Sequence, residues 1–240
     1  KGELLRKRIV IEGIVQGVGF RPFVYQAAHR WGVSGWVRND GRGVTVEAQG
    51  EPAALNGFLW TLRGDAPPLA SISRFETADL PPAAEEGFAI LASDGDTART
   101  AQVAPDSHVC PDCLRELFDP QDRRFRYPFI NCTNCGPRFS IVTAIPYDRP
   151  NTTMADFPMC PACRAEYADP ASRRFHAQPN ACPVCGPRLR LLDGAGRELA
   201  AADPVAAAAE RLQRGEILAV KGLGGYHLAV DARNDAAVRE

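Results

Sequence analysis

Two groups of residues in this chain have the types and spacing that chemistry requires. The first is thiol. All eight cysteines fall in C-x-x-C pairs: Cys110 with Cys113, Cys132 with Cys135, Cys160 with Cys163, and Cys182 with Cys185. Eighteen residues separate the first pair from the second, and the same number separate the third from the fourth. Two such turns at that spacing can close a tetrahedron of thiolates around one zinc ion, with Zn–S near ~2.3 Å. The second group is an anion cradle. Gln16-Gly17-Val18-Gly19-Phe20-Arg21 sets two glycines in four residues ahead of an arginine. Such glycines let backbone N–H groups turn inward, and a helix starting behind them would add its positive end. The loop alone is equally compatible with a plain strand-to-helix turn, and Asn39 alone with a turn residue.

The cysteine pattern is also an internal repeat with a period of fifty residues. Asp119-Pro120, Arg123-Arg124-Phe125 and Gly136-Pro137-Arg138 recur as Asp169-Pro170, Arg173-Arg174-Phe175 and Gly186-Pro187-Arg188. This marks a duplicated unit, one zinc to each. Disulfides or scattered buried thiols do not account for four pairs in two equal frames. Protein fills all four positions of each tetrahedron, so the metals are expected to be structural. A unit of about thirty residues is too small to fold on apolar burial. A structural zinc supplies roughly 10–16 kcal/mol, so the units should be unfolded without metal. His108 and His176 lie near the thiolates, but the tetrahedra are full without them.

The elements that must position the cradle follow from periodicity. Lys7 to Val15 reads as a strand, and Phe23, Val24, Ala27, Ala28 and Trp31 form a helical stripe that stops at Gly32, with Pro22 placed for a first helical position. Ser34–Arg38 and Val44–Gln49 read as strands around the hairpin signal Asn39-Asp40-Gly41-Arg42-Gly43. Pro52 to Leu62 is a second amphipathic helix. Ile72–Thr77 and Phe88–Leu91 supply a last strand, expected to be interrupted. The order is βαββαβ, the ferredoxin-like split βαβ arrangement. Domain limits are expected at 1–93 for this module, 94–104 for a polar linker, 105–190 for the zinc units (110–135 and 160–185), and 191–240 for a further module.

Gly13-Ile-Val-Gln-Gly-Val-Gly-Phe-Arg21, followed by Gly35-Trp-Val-Arg-Asn39, resembles acylphosphatase. In that family the loop N–H groups and the arginine hold a phosphate, and the asparagine orients the attacking water. The resemblance implies that Gln16, Gly17, Val18, Gly19, Phe20 and Arg21 form the phosphate cradle, and that Arg21 and Asn39 are catalytic. An acyl phosphate is already an activated anhydride, so positioning and charge stabilisation can suffice without a covalent nucleophile.

Between the zinc units, Ile141 to Ile145 is expected to be a short strand. Arg123, Arg124, Arg126, Arg138, Arg173, Arg174 and Arg188, interleaved with Phe125, Tyr127 and Phe129, raise the question of a nucleic-acid surface. Interspersed acids, and arginines that repeat with the unit, read better as scaffold, so nucleic acid is not expected. Further on, Asp203 is placed to cap a helix starting at Pro204, Glu216–Lys221 reads as a buried strand, and Asn234 can cap another helix. Lys221, Gly222, Gly224 and Gly225 form a second glycine-rich loop after a strand, compatible with a nucleotide or with a bare turn.

Of 240 residues, 45% are hydrophobic and 24% charged, with a net charge of −1, which fits an α+β multidomain protein without a global basic field. No apolar run reaches membrane-spanning length. Paired thiols as metal ligands fit a reducing cytoplasm. The chain begins at Lys1 and stops within what reads as a new domain, so a fragment of a longer protein is expected. The order of parts, with Asn131-Cys-Thr-Asn-Cys-Gly-Pro-Arg138, Pro146-Tyr-Asp-Arg-Pro-Asn-Thr-Thr-Met154 and Arg174-Phe-His-Ala-Gln-Pro-Asn-Ala-Cys-Pro-Val-Cys-Gly-Pro187, resembles the N-terminal part of the HypF family. These are carbamoyltransferases of [NiFe]-hydrogenase maturation. The resemblance implies tandem C4 zinc fingers holding two structural zinc ions, and the truncated start of an α/β YrdC-like domain at 191–240. It implies hydrolysis of carbamoyl phosphate to carbamate and phosphate in the first module. It further implies adenylation of carbamate by ATP in the full-length protein, and transfer of the carbamoyl group to the C-terminal cysteine of a HypE-type partner. The other readings are a zinc-dependent nucleic-acid-binding protein and a stand-alone acylphosphatase with a zinc appendage.

Overall fold

The computed structural model describes residues 4–94 and 98–240. The chain divides into two compact units, Lys1–Gly186 and Pro187–Glu240.

The first unit starts with β1 (Leu5–Ile14), α1 (Phe20–Trp31), β2 (Ser34–Asn39), β3 (Gly43–Gly50), α2 (Pro52–Gly64), β4 (Ser71–Leu80) and β5 (Phe88–Ile90). The sheet order is β4-β1-β3-β2-β5. Period-two alternation decides its faces. Ile9 and Ile11 sit opposite Val46 and Val44, and all four are fully buried. Arg8, on the other face, sits opposite Glu47 and pairs with it at 2.7 Å. Val24, Ala27 and Ala28 of α1 and Leu55, Phe58 and Leu62 of α2 cover the apolar face.

Two expectations need correction here. The last strand is not one interrupted strand. β4 pairs antiparallel with β1 along its length, and β5 pairs parallel with β2 at the opposite edge. Pro81 and Pro82 offer no N–H, so β4 cannot run on, and the chain crosses before Phe88 pairs beside Gly35. Helix α1 also begins two residues before Pro22. Gly19, at φ +76°, turns the chain directly into the helix, and its carbonyl accepts from Phe23 N–H at 3.0 Å. Pro22 is then the third helical residue, where a missing N–H is still harmless.

The polar stretch after the sheet is irregular, but its described part packs on the first module. Thr100 and Ala101 donate to Gly41 O at 2.7 and 2.8 Å, Val103 bridges to Gln16, and Ala104 is buried. Residues 95–97 lie outside the described residues. Each cysteine repeat opens with a short helix that the periodicity missed: α3 (Pro111–Phe118) and α4 (Pro161–Ala168). The signal was present, because proline directly after the first cysteine of each repeat occupies the first helical position. Ile141–Ile145 is not a strand. Phe139–Ile141 is a 3-10 turn, and only Val142 finds a bridge partner, Thr152, before Pro146 removes a donor.

In the second unit, β6 (Leu191–Leu192) pairs with β7 (Glu198–Leu199), and β8 (Leu218–Lys221) with β9 (Tyr226–Ala229). Asp203 caps α5 (Pro204–Gln213) by accepting from Val205 and Ala206 N–H at 3.0 Å, and Asn234 caps α6 (Asp235–Arg239). The strand expected to be buried is not: Val220 is 47% exposed, because a two-stranded ribbon covers neither of its faces.

Candidate active site and metal centres

The cradle forms where β1 ends and α1 begins. Gly17 and Gly19 adopt φ +74° and +76°, a conformation that side-chain-bearing residues resist. Val18 and Phe20 bury their side chains in the core and present only backbone. Among the described residues, nothing accepts from the N–H groups of Val18, Gly19, Phe20 or Arg21. Four unclaimed donors at a helix N-terminus have the geometry to hold an anion. The Gln16 side chain does not point to an anion. Its amide donates to Asp40 O and Gly43 O, both at 2.7 Å, and accepts from Tyr147 N–H at 2.8 Å. It braces the loop against the hairpin.

Arg21 and Asn39 meet beside the cradle, both nearly buried. Asn39 ends β2, and Asp40 fixes the turn behind it by accepting from Arg42 N–H, Gly43 N–H and the Thr45 hydroxyl. With the Asn39 amide assigned from its surroundings, its oxygen accepts from Arg21 Nη2 and Nε at 3.3 Å. Arg21 also reaches Asp148 Oδ1 at 2.7 Å, Ser93 Oγ at 3.3 Å and Tyr147 O at 3.4 Å.

The cysteine repeats roof this site. Its cleft, about 320 Å³ out to the open mouth, is lined below by Gly17, Gly19, Arg21 and Asn39 and above by Thr133, Arg138, Tyr147, His176 and Gln178. Arg138 is buried and donates to Gly17 O, to Cys132 O at 2.8 Å and to Thr133 O at 3.0 Å, tying the glycine loop to the first set of four cysteines. Burial lowers the pKa of His176 to about 4, and the nearby Arg21 charge acts the same way, so its ring is neutral at pH 7.

Within each repeat the four sulfurs converge. Cys110 to Cys132 is 3.7 Å and Cys132 to Cys135 is 3.8 Å. In the second set Cys160 to Cys182 is 3.7 Å, Cys182 to Cys185 is 3.8 Å and Cys163 to Cys185 is 3.6 Å. Spokes of ~2.3 Å give a tetrahedron an edge of about 3.8 Å, so both sets fit zinc. His108 and His176 belong to neither set. Without a cation the thiols cannot all ionise. Crowding by Cys132, then burial, pushes Cys113 up to about 12, while the Cys163 N–H at the start of α4 draws Cys160 down to about 6. Bound zinc would hold all four as thiolates and link the two C-x-x-C turns.

The duplicated arginines are exchanged between repeats. Arg124 of the first donates to Glu166 of the second at 2.9 and 2.5 Å and to Ala181 O at 2.9 Å. Arg174 of the second pairs with Glu116 of the first at 2.5 Å and donates to Asn131 O at 3.0 Å. Arg123 reaches Cys163 Sγ at 3.0 Å, and Arg173 reaches Cys113 Sγ at 3.6 Å. Burial alone would raise the Glu166 carboxyl, but Arg124 and Arg123 overcome it and bring the pKa down to about 2.

In the second unit, Lys221 lies over the Tyr226 ring at 4.8 Å, and Gly222 to Gly225 form the turn of the β8–β9 hairpin, closed by Gly222 N–H to Gly225 O at 2.7 Å. Sequence reasoning missed the roof. In the sequence His176 stands out only for its place near the thiolates, and nothing local signals that Tyr147 and Asp148 reach Arg21.

A split βαβ sheet with an anion cradle, carrying two four-cysteine fingers on top, defines an acylphosphatase-type module joined to a tandem zinc-finger domain. The acylphosphatase family profile matches residues 7–90, and the HypF finger profile matches residues 109–142 and 159–192. The chain is 58% identical over 236 residues to carbamoyltransferase HypF2 of Cupriavidus necator, covering 98% of this chain and 29% of that protein. An acylphosphatase of Bifidobacterium longum is 45% identical over 80 residues, 32% of this chain and 80% of that one. A crystal structure of full-length HypF in the phosphate- and nucleotide-bound form superposes with a TM-score of 0.94 at 45% identity, over 100% of this chain and 31% of that one. The chain belongs to the HypF carbamoyltransferase family, and spans about three tenths of the length of these relatives. No helix among the described residues is long and apolar enough to cross a membrane.

Proposed function

We propose that residues 7–90 hydrolyse carbamoyl phosphate to carbamate and phosphate, at a site completed by the zinc fingers. The observation that carries this reading is the set of four unclaimed N–H groups at the start of α1, with buried Arg21 and Asn39 beside them. The phosphoryl group sits on the Val18–Arg21 N–H groups, with its charge met by Arg21. Asn39, held by Arg21 and the Asp40 turn, orients the water that displaces the carbamate oxygen. Water attacks phosphorus, the P–O bond to the acyl group breaks, carbamate leaves with that bond's electron pair, and the water oxygen and its protons remain with the phosphate. The roof keeps bulk water from the reacting atoms.

In the complete protein, we propose, carbamate is adenylated with ATP and the carbamoyl group passes to the C-terminal cysteine of a HypE-type partner, towards the iron cyanide ligands of [NiFe]-hydrogenase. The site of this work is the cytoplasm. The HypF relatives support this reading, and enclosing the route suits carbamate, which decomposes readily in water. A nucleic-acid role is disfavoured because Arg123, Arg124, Arg138, Arg173 and Arg174 are spent inside the fold.

The test is phosphate release from carbamoyl phosphate. Arg21→Ala should impair both binding and turnover, and Asn39→Ala mainly turnover, each by ~10²–10³ as for a single preorganised donor. Wild-type hydrolysis by the double variant would sink the assignment.

A further inference from the structure

The cleft has a polar side chain that the hydrolytic mechanism leaves unused. His176 lines it alongside Arg21 and Asn39. Its backbone sits at φ +53°, unusual for a side-chain-bearing residue. That conformation is not itself a sign of function. Arg126, fifty residues earlier, adopts φ +56°, and the two N–H groups make the same bond, to Leu117 O and to Tyr167 O. The turn belongs to the repeat. What differs is the side chain, which is exposed at Arg126 and an imidazole at the cleft at His176. The ring is held by Phe175 and Tyr167, with centroids at 4.7 and 4.9 Å. Among the described residues, neither ring nitrogen has a protein partner at hydrogen-bond distance.

We propose that His176, carried by the second finger, determines acyl-group specificity by accepting a hydrogen bond from the N–H2 of carbamoyl phosphate. This rests on the hydrolase reading above. The chemistry follows from the partners. The phosphoryl end is served by the cradle and Arg21, so the roof faces the acyl end. A carbamoyl group differs from an acetyl group of nearly the same shape in offering N–H donors. A neutral imidazole with no protein partner can turn its unprotonated nitrogen to such a donor. Burial and the Arg21 charge keep that ring unprotonated at neutral pH. A site built to hydrogen-bond a substrate N–H rejects the isostere that lacks it far better than an apolar pocket rejects an added group.

The experiment compares kcat/KM for carbamoyl phosphate and acetyl phosphate on the whole zinc-loaded chain. The ratio is internal to each preparation, so a partly unfolded variant does not distort it. In His176→Phe the preference for carbamoyl phosphate should fall roughly tenfold or more. In His176→Asn, which keeps an acceptor, part of the preference should return. Equal losses on both substrates in His176→Phe would mark a merely structural role and overturn the inference, as would an unchanged ratio. A wild-type chain that hydrolyses acetyl phosphate with no preference for carbamoyl phosphate would overturn the specificity claim alone. A wild-type chain that hydrolyses neither would overturn the hydrolase reading, and this inference with it.

Discussion

Replacing Arg124 by methionine should weaken the zinc site of the finger to which Arg124 does not belong. Arg124 lies in the first repeat, with a side chain 1% exposed. It donates to Glu166 through both terminal nitrogens, to Ala181 O beside the ligand Cys182, and to Asn180 Oδ1 at 3.0 Å. Asn180 in turn donates to Cys163 O at 3.0 Å. Methionine fills much of the volume but leaves Ala181 O and Asn180 Oδ1 without their donor. Breaking a buried ion pair costs about 3–5 kcal/mol. Glu166 is 26% exposed and keeps Arg123 at 2.7 Å, so the lower end, about 3 kcal/mol, is the better figure. Because folding of a finger and its metal binding are linked, that cost is read as roughly a 100-fold loss of zinc affinity. The assay is chelator titration with alkylation of released thiols, resolved by peptide mass spectrometry. Cys160, Cys163, Cys182 and Cys185 should become reactive at lower chelator, ahead of Cys110, Cys113, Cys132 and Cys135. Arg174→Met should reverse the order. Weakening confined to the substituted repeat would refute the exchanged bracing.

Three other outcomes are expected. Cys110→Ser should lose one zinc by metal analysis and keep the second, since each sulfur tetrahedron draws on one repeat; loss of both would argue against self-contained sites. Gly19→Ala should cost about 1–2 kcal/mol for a side chain at φ +76°, with its Cβ 3.1 Å from Thr133 Cβ. Calorimetry and phosphate release should both register it while zinc content stays at two, and full activity would show the cradle tolerates displacement. His176 has a folded pKa near 4, below the ordinary 6.5, so its contribution to stability is complete above pH 6.5 and declines as pH falls towards 4. Discounted for screening through the cleft mouth, wild type should lose about 1–2 kcal/mol more than His176→Asn between pH 7 and pH 5 in denaturant titrations at saturating zinc. Parallel curves would remove His176 as the cause.

The two four-cysteine sets that fit zinc were legible in the sequence because a C-x-x-C turn is local. Its geometry follows from four consecutive residues, and the fifty-residue repeat assigned the pairs to two sets. The same holds for the cradle, where Gly17 and Gly19 mark a backbone that few other residues adopt, and for the caps at Asp203 and Asn234, whose side chains reach the first turns of the helices they precede. Alternation placed Ile9, Ile11, Val44 and Val46 on one face. Only the tertiary structure decided what covers the cradle. Tyr147, Asp148 and His176 stand more than a hundred residues from Arg21, and no periodicity encodes a contact at that separation. The exchange of arginines is of the same kind. The repeat shows that Arg124 and Arg174 are equivalent, but an equivalence is satisfied whether each pairs within its own repeat or with the other. Packing of the two small fingers brings the Arg124 guanidinium onto Glu166 and the Arg174 guanidinium onto Glu116, and that packing, not the sequence, makes the pair a single brace.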